Sequence, residues 1–591
     1  MHEHHTITDR TATRRRWDRL VVAAAAIVLV LHVRRYWFLT DDAFISFRYA
    51  RNWAEGFGLV FNPGSERVEG YSNFLWVVLL AMGAKLGLAA ERLAPWLGVF
   101  STAALWLSVT HFGRRLLPDG ARHWAWVAPL ALATNRSFAV WATSGLETRL
   151  FELLTLVGLW LLWNDTRLVC ARGGPRRRRA GLVLALATLV RPDTLVLAAG
   201  AVCGTEWLVW RARRWQWRGF VRAWAGLAAV VAAHTVFRLA YYGAPLPNTF
   251  YAKFGGTFAG DWGVMYVAWF VVEYALLVWM PFWIAGARAW RELAPGLGLT
   301  LAAAFVPYVL YVIYAGGDHF EFRMLDVLWV PLALLLQSGV GDLAGAGCRL
   351  RRQAAAAAAV VALLGVAALL PALSHRQFPS GYVKGFPAVN GRTPDDHDLI
   401  RTAGLPAAVQ PLLRPWIATS NTLARRLTVH FVGLRQEEHR AFRDHVTNVA
   451  LDVKDLVTTG LVPADTRIAL HCVGVIPYIT RLWTLDRLGL CDAHVAHSAW
   501  VPGPRRLAHG KLADPAYLAG RGVEMEPVLP FSFFTADEVV RWVRTSGDCG
   551  PEVPCFVARM GPDLNLLVKF PAGIANARAR FPGLTFEPLA E

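Results

Sequence analysis

Two adjacent aspartates, Asp41 and Asp42, directly follow the first apolar segment of the chain, near residues 20–38. Carboxylates accept protons and hydrogen bonds and bind cations, so the pair has chemical uses. A charge at bilayer depth costs about 2.5–3.5 kcal/mol on insertion scales, so acids beside an apolar segment indicate a functional site by default. A solvated helix end is the weaker alternative, because amphipathic sequence surrounds the pair.

The elements that position this pair belong to a polytopic membrane protein. Hydrophobic residues make up 55% of the 591 residues, with 26 Trp and a mean hydropathy of +0.34, more than a soluble core needs. The first segment lacks the small-residue cleavage site of a signal peptide. Candidate spans lie near 20–38, 74–90, 93–112, 124–140, 149–163, 180–191, 194–210, 223–241, 262–286, 296–315, 325–343 and 354–373.

The formal charge of +18 comes from basic clusters in short loops beside these spans. Clusters at 14–16, 176–179, 211–214 and 349–352 follow the positive-inside rule, which argues against nucleic acid as a partner. With residues 1–16 and 349–352 inside, the chain from about residue 375 lies outside, and the number of crossings is odd. We expect about eleven crossings, with one short or re-entrant segment between residues 41 and 115.

Four further polar runs then lie on the same outer face as the aspartate pair: residues 144–148, 191–193, 247–253 and 316–323. Charged loops that meet at one membrane face indicate a site built from many segments. The alternative, that each loop is polar only because it is wet, stays open. Aromatic and basic residues alternate after Asp42, which predicts an interfacial helix from Ala43 to Glu55 with one side in lipid headgroups.

Several of these runs together resemble the C-type (GT-C) integral membrane glycosyltransferases. The resemblance rests on DDAFISFRYARN (41–52), GLVFNPG (58–64), ERVEGYSNFLW (66–76), RPD (191–193), PNTFYAK (247–253) and GGDHFEFR (316–323). It is most similar to the branch of the mycobacterial terminal β-(1→2)-arabinofuranosyltransferase and of related proteins labelled as flagellar motor control. The match covers most of 36–345 and recurs weakly in TLDRLGLCD (484–492) and AHGK (508–511).

The resemblance implies a mainly α-helical GT-C fold over residues 1–374 in a bacterial inner membrane. It implies transfer of a sugar, such as arabinofuranose, from a polyprenyl-phosphate donor to a cell-envelope glycan or lipid-linked acceptor on the outer side. Asp41 or Asp42 is then the base that deprotonates the acceptor hydroxyl, and Asp41 is favoured because it lies nearer the end of the first span. The other carboxylate raises the pKa of the first, binds a cation or orients a sugar hydroxyl. The implied chemistry requires no cofactor, although some enzymes of this superfamily use a divalent cation, for which Asp41 and Asp42 are the ligand candidates.

A departing polyprenyl phosphate needs cations and hydrogen-bond donors more than a general acid. The candidates on the outer face are Arg191, Lys253, His319 and Arg323, with arginine favoured for bidentate phosphate contact. Two purely structural pairings stay open, Arg191 with Asp193 and Arg323 with Asp318 or Glu321. Further candidates for substrate binding are Asn248, Glu69 and Tyr71. A surface charge cluster explains Glu69 equally well, and an aromatic belt at the membrane interface is the commoner explanation for Tyr71.

Residues 375–591 are mixed in charge and rich in Pro and Gly, which predicts a separate soluble α/β or α+β domain on the outer side. We expect a buried strand over 467–476 with a turn at Pro477, and a role in acceptor binding. An oxidising compartment permits disulfides among Cys472, Cys491, Cys549 and Cys555. Cys549 with Cys555 is the most local pair and Cys472 with Cys491 completes the set, although three pairings are open. Spacing favours ordinary surface or core roles for His494, His497 and His509.

Two other classes of function stay open beside the enzyme. A non-catalytic membrane scaffold would tolerate substitution of the aspartates. A lipid-linked-glycan binding or transport protein would place charges within several spans and show internal repeats, whereas the charges here concentrate in loops. No nucleotide-binding glycine pattern is visible in the chain, which suits a lipid-linked donor.

Overall fold

The computed structural model describes residues 2–254, 259–344, 350–376, 406–501, 506–527, 555–559, 565–569 and 574–588. Helices make up most of the chain up to residue 376. They are α1 (His2–Arg35), α2 (Ala43–Ala54), α3 (Phe74–Lys85), α4 (Ala90–Arg115), α5 (Val127–Thr134), α6 (Arg136–Val140), α7 (Thr148–Arg172), α8 (Arg179–Val190), α9 (Thr194–Arg211), α10 (Trp217–Tyr242), α11 (Asn248–Phe254), α12 (Gly260–Glu273), α13 (Met280–Leu293), α14 (Leu297–Ala315), α15 (Trp329–Leu343) and α16 (Leu350–Arg376).

Within the described residues, five helical stretches are long and apolar enough to cross a membrane: α4, α7, α10, α14 and Asp326–Leu343. The pair α12 and Leu276–Leu293 is a sixth if this pair, bent by 63°, is one broken span. These helices are those of a multi-pass membrane protein, as the composition predicts. The expected total of about eleven crossings stays a prediction.

The short helix α3 begins and ends on the face of the bundle that carries Asp41, which we call the Asp41 face. In its first turn, the Trp76 indole donates to the Gly145 carbonyl at 3.0 Å. After α3, Glu91 at the start of α4 accepts a hydrogen bond from the Tyr478 hydroxyl. Only α4 then leads away, toward Arg114 and Arg115. α3 is a short apolar helix, and the expected short or re-entrant segment between residues 41 and 115 stays a prediction.

Helix α2 has the predicted position but not the predicted surroundings. Most of its residues are buried, and Arg48 is only 1% exposed. The Arg48 guanidinium donates to the carbonyls of Phe61, Pro477 and Leu482 at 2.7, 2.5 and 3.0 Å. The expected contact of α2 with lipid headgroups is thus wrong, because residues from the C-terminal part of the chain cover it.

The C-terminal part combines helices and short strands. The helices are α17 (Gln410–Thr428), α18 (Gln436–Thr458), α19 (Val475–Thr480), α20 (Ala493–His497), α21 (Pro515–Gly520) and α22 (Ile574–Arg580). The strands are β1 (Arg467–Leu470), β2 (Trp483–Asp486), β3 (Glu526–Pro527), β4 (Cys555–Arg559), β5 (Asn565–Lys569) and β6 (Thr585–Pro588). β1 and β2 pair in parallel, with Arg467 opposite Trp483, and the other strands form an antiparallel sheet in the order β3-β5-β4-β6.

The predicted strand over 467–476 is shorter than expected. It ends at Leu470, and Pro477 lies inside α19 rather than in a turn, since proline is tolerated in the first turn of a helix. One hydrophobic core runs without interruption from α1 to Leu584 and includes residues of α17, α18 and β1. The described C-terminal elements thus pack directly on the membrane helices, while the boundary at residue 375 stays a prediction.

Candidate active site

The turn between α1 and α2 holds the two aspartates in different environments. Asp41 is 5% exposed, and its Oδ1 accepts a hydrogen bond from the Val475 N–H at 2.8 Å. A Cβ at Gly474 would lie 2.1 Å from the Asp41 carbonyl oxygen, so only glycine allows this approach. Asp42 is half-buried and directly precedes α2, but its side chain does not cap the helix. Asp41 is thus tied to the segment before α19.

The electrostatics of the two carboxylates differ as well. Burial raises the pKa of Asp41 to about 7, with a smaller contribution from the Asp42 charge, against the opposing effect of the Val475 N–H. No described residue hydrogen-bonds the Asp42 carboxylate. Its charge acts on His319, where it partly offsets the lowering of the His319 pKa by burial. Asp42 is therefore the carboxylate that is free to accept a proton or a hydroxyl.

The loop 316–323 carries His319 and Arg323 and is shaped by one strained residue. Phe322 is fully buried with φ +48, a conformation that is uncommon for a bulky side chain. Its ring packs 5.2 Å from that of Trp269 on α12. In an extended chain, residues 321 and 323 would share one face. The kink separates them, so that Glu321 points into a buried ion pair with Arg435 at 3.1 Å.

Arg323 turns back toward the start of the same loop. Its Nε donates to the Asp318 Oδ2 at 2.9 Å, and its guanidinium lies 4.5 Å from the centre of the Phe320 ring. The structural pairing with Asp318 that the sequence left open is therefore present, and the one with Glu321 is not. Only Nε of Arg323 is engaged in this pair, so its terminal nitrogens remain available to an anion.

Arg191, between α8 and α9, is paired with Asp193, as the sequence left open, but through two nitrogens. Its Nε and Nη2 bind Asp193 at 3.1 and 2.5 Å, and the Tyr308 hydroxyl donates to the same carboxylate at 3.1 Å. Arg191 is 7% exposed, and its Nη1 is buried without a hydrogen-bond partner among the described residues. A buried donor without a partner is costly, which points to a ligand for this group.

Lys253, on α11, is half-buried and forms no ion pair with the described residues. Its charge helps to lower the pKa of Asp318, after the larger effect of Arg323. Lys253 thus contributes positive charge to the region of Arg323 and His319. The structure brings these three candidates and Arg191 together around Asp318.

Three other predicted site residues are brought together at the far end of α2. Asn248 donates to the Gly489 and Leu490 carbonyls at 2.7 and 3.0 Å, while its N–H binds the Glu69 carbonyl at 3.1 Å. Glu69 forms a buried ion pair with Arg238 at 2.8 Å. The hydroxyls of Tyr71 and Tyr242 are 3.0 Å apart, and the Tyr71 ring packs on Tyr49 at 4.8 Å.

Tyr49 stands seven residues beyond Asp42 on α2, which corresponds to about 10 Å along a helix. The side chains of Asn248 and Glu69, which the sequence predicts to bind substrate, are bonded to other parts of the protein instead. These residues join the membrane helices to the loop at 489–492 and support the site from a distance.

Sequence reasoning missed two residues that lie near the candidate site, Glu147 and His439. Glu147, just before α7, accepts a hydrogen bond from Asn73 at 2.8 Å, and its charge acts on Arg191 and Arg323. Its run, 144–148, was recognised as outer and polar, but no motif singled out the acid. The rings of His439 and His509 lie 5.1 and 5.4 Å from that of His319.

His509 was expected to have an ordinary surface or core role. Its Nδ1 lies 2.8 Å from the Leu507 carbonyl and its ring packs on Phe431 at 5.0 Å, in agreement with a core role. Burial lowers its pKa to about 3, with a further contribution from His319. The His319 Nδ1 contacts the Phe431 carbonyl at 2.9 Å. A carbonyl only accepts, so Nδ1 carries the proton and Nε2 is left as an acceptor. His494 stacks on Tyr517 at 4.1 Å and His497 packs on Tyr251 at 4.5 Å, in agreement with ordinary packing roles.

The cysteines do not form the second predicted disulfide. Cys472 and Cys491 are both free thiols. Cys491 packs under Gly70, where a Cβ would lie 2.4 Å from its Sγ, while Cys472 lies near the acidic pair, whose charges contribute to raising its thiol pKa after the larger effect of burial. The two thiols thus face different surroundings. Cys549 lies outside the described residues, and its pairing with Cys555 stays a prediction.

Within the part of the chain that the structure describes, no group of three or more His, Cys, Asp or Glu side chains is arranged to hold a metal ion. Asp41 gives one carboxylate oxygen to Val475, which leaves Asp42 as the more accessible oxygen donor. A divalent cation at this pair stays a prediction.

Comparison with known proteins gives sequence relatives and a structural neighbour. No protein-family model matches the chain. It is 31% identical over 334 residues to the terminal β-(1→2)-arabinofuranosyltransferase of Corynebacterium glutamicum, which covers 49% of this chain and 46% of that protein. It is 32% identical over 345 residues to the protein of the same name from Mycobacterium tuberculosis, with 51% and 52% covered. The chain thus spans about half the length of the curated relatives it matches.

The structure is similar to that of ArnT from Cupriavidus metallidurans bound to undecaprenyl phosphate. The TM-score is 0.50 at 14% identity, over 94% of this chain and 98% of that one. This neighbour is a GT-C glycosyltransferase, and the sequence relatives are arabinofuranosyltransferases. The resemblance predicted from the sequence is therefore confirmed.

Proposed function

We propose that this protein is a membrane glycosyltransferase that moves a sugar from a polyprenyl-phosphate donor to a cell-envelope glycan on the outer side of the membrane. The names of the sequence relatives suggest arabinofuranose as the sugar. The structural neighbour with bound undecaprenyl phosphate supports a polyprenyl-phosphate donor. The sequence relatives match only about half of this chain, so the donor and the acceptor are proposed here.

One observation carries the proposal: a carboxylate without a protein partner, Asp42, lies on the same face as arginines with unused donors. The buried Nη1 of Arg191 has no partner among the described residues, and Arg323 uses only Nε. A base for a hydroxyl and an anion site for a leaving phosphate are the two requirements of this transfer.

In the proposed step, Asp42 takes the proton of an acceptor hydroxyl while the oxygen of that hydroxyl attacks the anomeric carbon of the donor sugar. The bond from that carbon to the phosphate oxygen breaks, and its electron pair leaves with the polyprenyl phosphate. Arg191, Arg323 and Lys253 stabilise the negative charge that develops on the phosphate. Asp41 acts as a positioning residue, because it ties the turn to Val475.

The test uses the full chain in lipid nanodiscs with a panel of polyprenyl-phosphate sugars and a glycan acceptor. Release of polyprenyl phosphate and transfer of the sugar are measured together. Asp42→Asn is expected to lower transfer by about 100- to 10,000-fold, the usual contribution of a general base, with an unchanged melting temperature. The control is Asp455→Asn, at an exposed aspartate on α18, which is expected to have wild-type activity.

Full transfer by Asp42→Asn would refute the assigned base. If no sugar in the panel is transferred while the lipid binds, the chain is a scaffold or a lipid-linked-glycan binding protein. If the protein is reconstituted in proteoliposomes and moves the intact donor from one leaflet to the other, this result would instead support transport.

A further inference from the structure

Helix α17, in the C-terminal part of the chain, lies antiparallel along α12. The rings of Trp262 and His430 stack at 4.4 Å at one end. The Trp269 indole donates to the Ser420 hydroxyl at 3.1 Å in the middle. The Trp416 indole donates to the Val272 carbonyl at 2.7 Å near the other end. Because the two helices run antiparallel in this register, the first turn of α17 lies beside the segment that follows α12.

The chain bends by 63° between α12 and the stretch Leu276–Leu293, so that Leu276–Met280 directly follows the bend. Together, α12 and Leu276–Leu293 have the length and composition of a membrane element, either a broken span or a re-entrant loop. Leu277, Val278 and Met280 are 68%, 55% and 46% exposed. Apolar side chains that project from a membrane-spanning element without protein cover face lipid. The bend therefore marks lipid-contacting surface next to α17.

The beginning of α17 continues this apolar surface. Val409 and Leu412 are 37% and 80% exposed, and the exposed Pro411 and Pro415 lie beside them. An apolar patch of this kind is unfavourable in water. It contrasts with the exposed Leu451 on α18, whose neighbours on the same helix face, Asn448 and Asp455, are polar and exposed.

We propose that the first two turns of α17, residues 409–416, are inserted into the membrane leaflet on the Asp41 face. The occupant of the apolar patch is lipid, because the patch is continuous with the lipid-facing bend at Leu277. Trp416 has its ring against the protein and its N–H on a carbonyl, as aromatic residues do at a membrane interface. The exposed Arg414 has the reach to bind a lipid phosphate.

This contact has a structural consequence that does not depend on the proposed reaction. After α17, the chain passes through Phe431, whose carbonyl receives the His319 hydrogen bond, to Arg435, which pairs with Glu321. Lipid contact at the start of α17 thus anchors the element that holds the loop 316–323. The C-terminal part is in this respect a membrane-associated element rather than a purely soluble one.

Photocrosslinking in lipid nanodiscs tests the proposal. The photoreactive amino acid p-benzoylphenylalanine replaces Leu412, Leu277 or Leu451 in three separate variants of the full chain. These side chains are all exposed, so the replacements leave the core intact. After irradiation, mass spectrometry of the peptides measures the fraction that carries a lipid mass.

Positions 412 and 277 are expected to give lipid adducts at about ten-fold the yield of position 451, because only apolar surface in the bilayer contacts acyl chains. Adducts at 277 but not at 412 would overturn the proposal and place α17 in water. A crosslink from position 412 to another protein chain, without lipid adducts, would overturn it in favour of protein docking. Unchanged melting temperatures of all three variants confirm that the comparison is made on folded protein.

Discussion

Two regions of the molecule contain arginine–carboxylate pairs and use them differently. In the intramembrane cluster, formed by Arg149, Glu152 and Asp326, the side chains are fully buried. The Arg149 Nη1 pairs with Glu152, and its Nη2 lies 2.6 Å from Asp326 and 2.7 Å from the Phe138 carbonyl. Both terminal nitrogens are therefore committed to the protein.

On the Asp41 face, the arginines are only partly committed. Arg191 leaves Nη1 without a partner among the described residues, and Arg323 binds Asp318 through Nε alone. The comparison teaches that a buried ion pair by itself does not indicate a site. Arg149 also leaves a donor without a hydrogen-bond partner among the described residues, but this donor is Nε. The unused terminal nitrogens of Arg191 and Arg323, together with the free carboxylate of Asp42, are what distinguish the Asp41 face from this structural tie.

The largest expected effect tests the structural half of the comparison. Arg149→Met leaves Glu152 and Asp326 buried without their cation, which is expected to lower the free energy of unfolding by about 3–5 kcal/mol. Thermal unfolding in nanodiscs measures the loss. The matched variant Arg323→Met is expected to lose less, because Lys253 and Arg191 also act on Asp318. Equal losses would contradict the distinction between the two regions.

The second prediction concerns the pH dependence of stability at Asp41. Burial raises its folded pKa to about 7, so the folded protein holds the proton more tightly than the unfolded chain does. The contribution of Asp41 to the free energy of unfolding is then fully present below its unfolded pKa and is lost as the pH rises through about 7, by roughly 1 kcal/mol per pH unit. Asp41→Asn removes this dependence. Identical pH profiles of unfolding for the variant and the wild type would contradict the assignment.

A third prediction tests the contact that occupies Asp41. Gly474→Ala places a methyl group against the Asp41 carbonyl, and overpacking of this kind costs about 1–3 kcal/mol. We expect a lower melting temperature and reduced transfer, because the turn that carries Asp42 must shift. Gly298→Ala, in α14 with open space around its Cβ, is the control and is expected to leave both unchanged. Wild-type transfer by Gly474→Ala would show that the turn tolerates displacement.

The smallest expected effect tests the unused donor on Arg191. Arg191→Lys retains a positive charge near Asp193 but loses the planar group that binds this acid and, in the proposed function, a phosphate at the same time. The KM for the lipid-linked donor is expected to rise about ten-fold, or roughly 1.4 kcal/mol, with little change in kcat. Arg440→Lys, at an exposed arginine on α18, should leave the KM unchanged. An unchanged KM for Arg191→Lys would remove Arg191 from the phosphate site.

Much of the site could be predicted because the positive-inside rule assigns each polar loop to a side of the membrane. That rule places Asp42, Arg191 and Arg323 on one face without knowledge of the fold. It does not separate them from Asn248 and Glu69, which share the same loops but are occupied by protein partners. Motif membership identifies a residue, whereas its role depends on which of its atoms are already bonded.

The residues contributed by the C-terminal part were beyond sequence reasoning for a different reason. His439 lies in the first turn of α18 and has no local spacing that indicates a site, and His509 lies in the motif AHGK, to which no chemistry could be assigned from the sequence. Their rings reach His319 because Gly433 and Leu434, before α18, hydrogen-bond the loop 316–323, and because the Leu507 N–H binds the His430 carbonyl. Contacts between segments so far apart in the chain leave no periodic signal in either one.

The sequence by itself determined that this is a membrane protein, which loops share a face, and that an acidic pair meets basic groups there, because hydropathy and loop charge are local properties. Only the tertiary structure decided which aspartate is free. Asp41 is bonded by an amide 434 positions away, and a hydrogen bond over that separation depends on the folded path of the whole chain.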